Sequence, residues 1–178
     1  MFHVKQLEML CVLVRRWNDT VRLVSRRDCA LLETRHVANC LTLVPLVEQL
    51  RPKAILDIGS GGGFPGLVLA IATEIPVHLV EADLRKAEFL REASRRLGLT
   101  TTIHAMRAEM VDMKADLVTA RAVAPFANLW PVACRLLSEG GTGLFLKGDA
   151  VTAELRHSDP GLAWSWPAGV VVEMRVAG

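Results

Sequence analysis

Four residues set two apart, Asp57, Gly59, Gly61 and Gly63, carry the clearest chemical signature in the chain. Glycines let a backbone approach a ligand closely and adopt positive φ, and a helix start just beyond them offers free N–H groups. At the first strand-to-helix junction of an open parallel sheet, such a loop binds a nucleotide-like ligand. A dinucleotide loop needs a further glycine three residues after its second one. Counted from Gly61, that position is Phe64, which disfavours an NAD-type cofactor. A second contact is expected from an acid at the end of the next strand. Glu81 stands there, directly after His78-Leu79-Val80, where its carboxylate could accept hydrogen bonds from both hydroxyls of a ribose. Asp83 is the rival. The bland alternative is a tight turn at Gly59–Gly63 and a helix-start acid at Glu81.

The elements that must position these residues follow from periodicity. Residues 3–17 read as an amphipathic helix broken at Asn18-Asp19, with Val4, Leu7, Leu10, Cys11 and Val14 at helical spacing. Thr34 is placed to cap a second helix running to about Gln49, with Pro45 bending it. From Ala54 short apolar runs alternate with helical stretches. Strands are predicted over Ala54–Ile58, Val77–Val80, Thr101–Ala105, Leu117–Ala120 and Gly143–Leu146, and a last pair over Leu162–Trp166 and Val170–Val176. Helices are predicted over Gly66–Ala72, Leu84–Leu97, Phe126–Leu137 and, weakly, Val151–Arg156. This alternation implies an α/β fold with a mostly parallel sheet covered on both faces. The final pair should be antiparallel. One domain is expected over residues 1–178, a helical extension at 1–52 preceding a core at 53–178.

Composition bounds the function. Hydrophobic residues make up 51% of the 178, enough for a full core, and the net charge of +2 rules out a strongly basic nucleic-acid coat. The first 53 residues nevertheless hold nine basic side chains against five acidic ones. That suits either a modest surface for an anionic partner or a solvated helical face. The four cysteines form no CxxC pair, and the scattered histidines give no zinc spacing. No metal is expected. Free thiols suit a reducing cytoplasm. The apolar run Met9–Val14 is too short for a signal peptide, and no stretch is long enough to span a membrane.

The pattern Asp-x-Gly-x-Gly-x-Gly resembles motif I of class I S-adenosylmethionine (SAM) methyltransferases. A closer resemblance, to the RsmG (GidB) family of bacterial 16S rRNA methyltransferases, covers residues 17–148. It rests on Trp17-Asn18 with Leu23-Val24-Ser25, on Arg35-His36, and on Leu56–Gly66 with its closing Gly-Phe-Pro-Gly. Leu79–Glu92, with Arg85-Lys86 and Phe89-Leu90-Arg91, carries it further, as do Ala120-Arg121-Ala122 and Leu146-Lys147-Gly148. The chain departs from the family pattern at Arg22 and at Asn39-Cys40. The resemblance implies a Rossmann-like sheet of seven strands, the last antiparallel. It also implies SAM contacts at Gly59 and Phe64, ribose binding by Glu81, an adenine edge held at Ala108-Glu109, and Arg121 facing the site. The implied reaction is methylation of N7 of a guanine, number 527 of 16S rRNA, in the small ribosomal subunit or an assembly intermediate, by a cytoplasmic monomer.

The residues fit that chemistry. N7 carries an in-plane lone pair and no proton, so no general base is needed and catalysis rests on positioning and electrostatics. The fourth strand ends in Ala120-Arg121-Ala122-Val123-Ala124-Pro125 rather than the Asn/Asp-Pro-Pro-aromatic loop that holds an exocyclic amine. Carbon-5 methylation of a pyrimidine needs a nearby cysteine, and the nearest, Cys134, lies in the following helix. Two readings stand for Arg121: a fork to guanine O6, phosphate or the cofactor carboxylate, or an ion pair with Asp57 or Asp116. Lys147 is expected on the same face of the sheet as Arg121. Arg35 and His36 either dock RNA or brace the N-terminal helices against the sheet. The competing functions are a small-molecule SAM methyltransferase and a non-catalytic SAM- or RNA-binding protein.

Overall fold

A computed structural model describes residues 2–121, 124–147, 162–166 and 169–175. Helix α1 spans Phe2–Asn18. A short helix α2, Arg26–Cys29, follows and is capped by Ser25, whose hydroxyl accepts from the Asp28 N–H. A wide π-helical turn, Leu32–Val37, runs straight into α3, Ala38–Leu41, and α4 covers Val44–Leu50.

The single helix expected from Thr34 to Gln49 is therefore three pieces. Thr34 lies inside the wide turn rather than at a cap. Pro45 sits in the first turn of α4, where its missing N–H costs nothing, so it starts a helix instead of bending one. The wide turn places Leu32, His36, Val37 and Cys40 together in the interior.

Strands β1 (Ile55–Ile58), β2 (Val77–Val80), β3 (Thr101–His104), β4 (Ala115–Arg121) and β5 (Leu137–Lys147) are all parallel. β6 (Leu162–Trp166) and β7 (Gly169–Arg175) close a seven-stranded sheet in the order β3-β2-β1-β4-β5-β7-β6. β7 is antiparallel to both its neighbours. The final hairpin expected from the sequence is thus present. The weak helix read at Val151–Arg156 lies outside the described residues.

The sheet has one core on each face. Helices α5 (Gly66–Thr73) and α6 (Leu84–Leu97) cover one face, and α1, α3 and α4 pack over them in a shared core of Leu10, Val14, Leu43, Leu67 and Phe89. α5 is buried at every position from Gly66 to Ile71, because it is sandwiched between sheet and N-terminal helices. α6 is stopped at both ends by its own sequence. Asp83 accepts from the N–H groups of Arg85 and Lys86, and Gly98 closes the helix at φ 64°. On the other face α7 (Phe126–Leu136) packs Phe126 and Trp130 against Phe145. No helix among the described residues is long and apolar enough to cross a membrane.

β1 lies between β2 and β4, so the strand order reverses at its carboxyl end. That switch point is where an open sheet leaves a crevice. The glycine loop emerges into it.

Candidate functional site

The loop after β1 takes its shape from its glycines. Gly59, Gly61 and Gly63 have φ of 66°, 51° and 85°, the left-handed region that other residues avoid. At Gly63 a Cβ would stand 2.4 Å from Leu67 Cδ1, so the loop and α5 close on each other only without a side chain. At Gly61 a Cβ would meet nothing nearer than 3.7 Å. There is open space beside the backbone there.

Glu81 ties the loop to β2. Its Oε2 accepts from the Gly61 N–H at 2.9 Å and its Oε1 from the Asp83 N–H at 2.8 Å. The carboxylate thus sits at the β2 terminus beside the open glycine. Its rival Asp83 is committed to capping α6.

A cleft of about 300 Å³ opens here, and Gly59, Glu81, Ala108 and Glu109 all line it. Four of the expected contact residues thus share one cleft, whereas Gly61, Gly63, Phe64 and Arg121 are not among its lining residues. Its walls also include Ala82, Met106 and Arg107, neighbours of the predicted residues, and Asn128, Leu129 and Val132 of α7, which sequence reasoning missed because that helix is distant in the chain. Arg135 of α7 was missed as well. It donates to the carbonyls of Ala108 (2.6 Å) and Val111 (2.9 Å), fixing the short 3₁₀ turn Ala108–Met110 that forms one wall. Its signal was only a basic residue in the last turn of a helix.

Asp57 lies beneath the loop rather than in the cleft. It is fully buried, Thr119 Oγ1 donates to its Oδ1 at 2.8 Å, and Oδ2 faces the start of α5 without a hydrogen-bond partner. Burial pushes its pKa up to about 6, against the hydrogen bonds that favour the ionised form. Its backbone carbonyl accepts from Ser60 Oγ at 2.9 Å, so the residue braces the loop from below.

Phe64 is buried too, its peptide bond to Pro65 cis. One neighbour of its ring is the Arg121 guanidinium, 5.3 Å from the centroid, and another is the His36 ring at 5.4 Å. Arg121 Nη2 in turn meets His36 Nδ1. An arginine can only donate, so Nδ1 must be bare and the proton must sit on Nε2. Nε2 faces Asp28 Oδ1 at 3.5 Å. Burial, then the Arg121 charge, hold His36 below its usual pKa, consistent with a neutral ring.

Arg121 turns to His36, not to an acid; Asp116 instead accepts from the Lys53 backbone N–H at 2.9 Å. His36 is 7% exposed and joins α2 to the end of β4, and Arg35 pairs with Asp28 at 2.7 Å. His36 thereby braces the helical layer against the sheet, whereas Arg35 pairs within that layer. Lys147 departs from expectation. Arg121 is in register with Leu146, one residue before Lys147, and side chains alternate along a strand. Lys147 accordingly points to the α7 side, where it donates to the Ala124 carbonyl, while Arg121 points to the N-terminal helices. Cys40, one of the family departures, is fully buried and its thiol is pushed up to about 12 by desolvation.

The family model for GidB, rRNA small subunit methyltransferase G, matches residues 3–167. The chain is similar to the ribosomal RNA small subunit methyltransferase G of Granulibacter bethesdensis, 45% identical over 184 residues, covering 89% of this chain and 86% of the relative. Its similarity to the Gluconobacter oxydans protein of the same name is 47% over 155 residues, covering 86% and 79%. Among solved structures, an RNA methyltransferase from Salinibacter ruber in complex with S-adenosyl-L-homocysteine shares the fold, with a TM-score of 0.63 at 19% identity, over 79% of this chain and 90% of that one.

Proposed function

Because the chain belongs to the GidB family of rRNA small subunit methyltransferases, we propose that it transfers the methyl group of SAM to N7 of one guanine of 16S rRNA, the guanine numbered 527. The observation that carries the cofactor half is the single cleft that gathers Gly59, Glu81 and the Ala108-Glu109 turn at the topological switch point.

The residues fit SAM. Gly61 leaves the loop backbone open, Glu81 presents a carboxylate where two ribose hydroxyls need acceptors, and Val80, Met106, Leu129 and Val132 give apolar walls for a flat base. In this reading Gly59, Gly61, Gly63 and Phe64 form the loop that embraces the cofactor, with Asp57 supporting it. Glu81 holds the ribose, and Ala108 and Glu109 take the adenine edge. SAM supplies an electrophilic methyl on a sulfonium.

The protein's own share is positioning. Guanine N7 has no proton to lose, so no side chain need act as a base. A cation on N7 would occupy the lone pair that attacks, which assigns Arg121 to O6, a phosphate or the cofactor carboxylate. Phe64 and His36 hold the Arg121 guanidinium at the β4 terminus. Lys147 fastens the start of α7 rather than touching substrate. The whole chain is read as one domain, a monomer acting in the cytoplasm on the small subunit or its assembly intermediate. The shared core of N-terminal helices and sheet supports the single domain.

The test is the chemical identity of the product. Small subunits lacking the modification are incubated with labelled SAM and digested to nucleosides. Label in 7-methylguanosine supports the reading; label in an N2-methylated guanosine or a pyrimidine overturns it.

A further inference from the structure

We propose that the groove between α1 and α2 binds RNA phosphates through Arg22 and Arg26, and so docks the strand beside the glycine loop. This rests on the rRNA reading above and adds the surface that holds the polymer.

The groove has a volume of about 490 Å³ and is lined mainly by polar residues, Asn18, Asp19, Thr20, Arg22, Ser25 and Arg26 among them. Its floor is fixed. Asn18 Oδ1 accepts from the N–H groups of Leu23 (2.8 Å) and Val24 (2.9 Å), pinning the connecting segment to the end of α1. The same segment abuts the cofactor loop: a Cβ on Gly62 would stand 3.4 Å from Leu23 Cβ. The segment that forms the groove therefore adjoins the glycine loop.

The donors left over decide what that ligand is. Thr20 Oγ1 already donates to the Trp17 carbonyl, Ser25 Oγ to Asp28 Oδ2, and Asn18 Nδ2 faces Cys29 Sγ. Two other arginines of this layer are spent on carboxylates, Arg15 on Glu33 at 2.6 Å and Arg35 on Asp28 at 2.7 Å. Arg22 and Arg26 are exposed and, among the described residues, neither makes an ion pair. Asp19 is the one carboxylate in the lining. Two unspent guanidiniums over a rigid polar floor suit phosphate oxygens, which arginine grips in fork geometry. Contacts of this kind fix register on a nucleic acid without reading its sequence.

The experiment compares wild type, R22A/R26A and, as a control, R51A. Arg51 ends α4 and precedes the amino end of β1, whereas the glycine loop follows its carboxyl end. Filter binding to naked 16S rRNA is measured across a salt series, with the SAM Kd measured alongside. The expected result is at least a tenfold rise in RNA Kd for R22A/R26A. The slope of log affinity against log salt should flatten by about 1.4–1.8, two phosphate contacts at roughly 0.7–0.9 each. R51A and the SAM Kd should not move. An unchanged slope in R22A/R26A, an equal loss in R51A, or a SAM Kd that shifts with the double variant each overturns the proposal. Wild type that binds this RNA but methylates no rRNA refutes the functional reading instead, so the two failures are distinct.

Discussion

Arg121 at the end of β4 donates to His36 in the helical layer, 85 residues away in sequence. The contact couples the carboxyl end of β4 to the N-terminal helices. It requires a neutral imidazole, since protonation of Nδ1 removes the acceptor and sets two cations together.

A pH dependence follows. The folded state lowers the His36 pKa below 6.5, through burial first, then the positive charges of Arg121 and Arg35, with Asp28 opposing. Between the lowered value and 6.5 the unfolded chain binds more protons. The stability contribution is therefore complete above pH 6.5 and lost as pH falls through the folded value. The Tm difference between wild type and H36N is expected to shift in favour of wild type as pH rises through 6.5. H36L, which removes the acceptor, should lower kcat at least tenfold, matching about 1.5–3 kcal/mol for a charged hydrogen bond. A Tm difference flat with pH contradicts the neutral-ring assignment.

Asp57 runs the other way. Its folded pKa, about 6 against 3.8, means the native state holds the proton more tightly, so stability is lost as pH rises between those values. The Tm difference between wild type and D57N should move in favour of the variant from below pH 3.8 to above pH 6. A constant difference rules out the buried-charge account.

Glu81 is expected to govern cofactor affinity. Glu81→Ala removes both the ribose acceptor and the loop tie to Gly61. Calorimetry should show SAM Kd rising at least tenfold, since one charge-assisted hydrogen bond is worth about 1.5–3 kcal/mol. An unchanged Kd refutes the second-strand assignment.

Gly63 should tolerate no side chain. Alanine there meets Leu67 and must adopt φ near 85°. The backbone alone costs about 1–2 kcal/mol, and chemical denaturation should show at least that loss, with weakened SAM binding. Gly98→Ala shares the positive φ but has open space around it, so it should lose only the backbone part.

The order of elements from β1 to α7 was legible because continuous apolar strands and capped helices leave local marks. Val77–Val80 and Leu84–Leu97 fall where Pro76, Asp83 and Gly98 punctuate the chain. Residues 26–50 were not legible. The wide turn at Leu32–Val37 is set by burying His36 against Phe64 and Arg121, a tertiary demand with no local period. β5 starts at Leu137, before Gly140-Gly141, because α7 passes into it without a loop. The cleft residues Gly59 and Glu81 announced themselves by spacing. The partners of Arg121 did not, since they arrive from a different layer.

The most direct measurement is the position of the label. Small subunits from a strain lacking the modification are methylated with labelled SAM, and the rRNA is cleaved at 7-methylguanine and sequenced. The account expects label at one guanine, number 527, with transfer abolished in E81A. Label spread over many guanines, or none despite intact SAM binding, contradicts it.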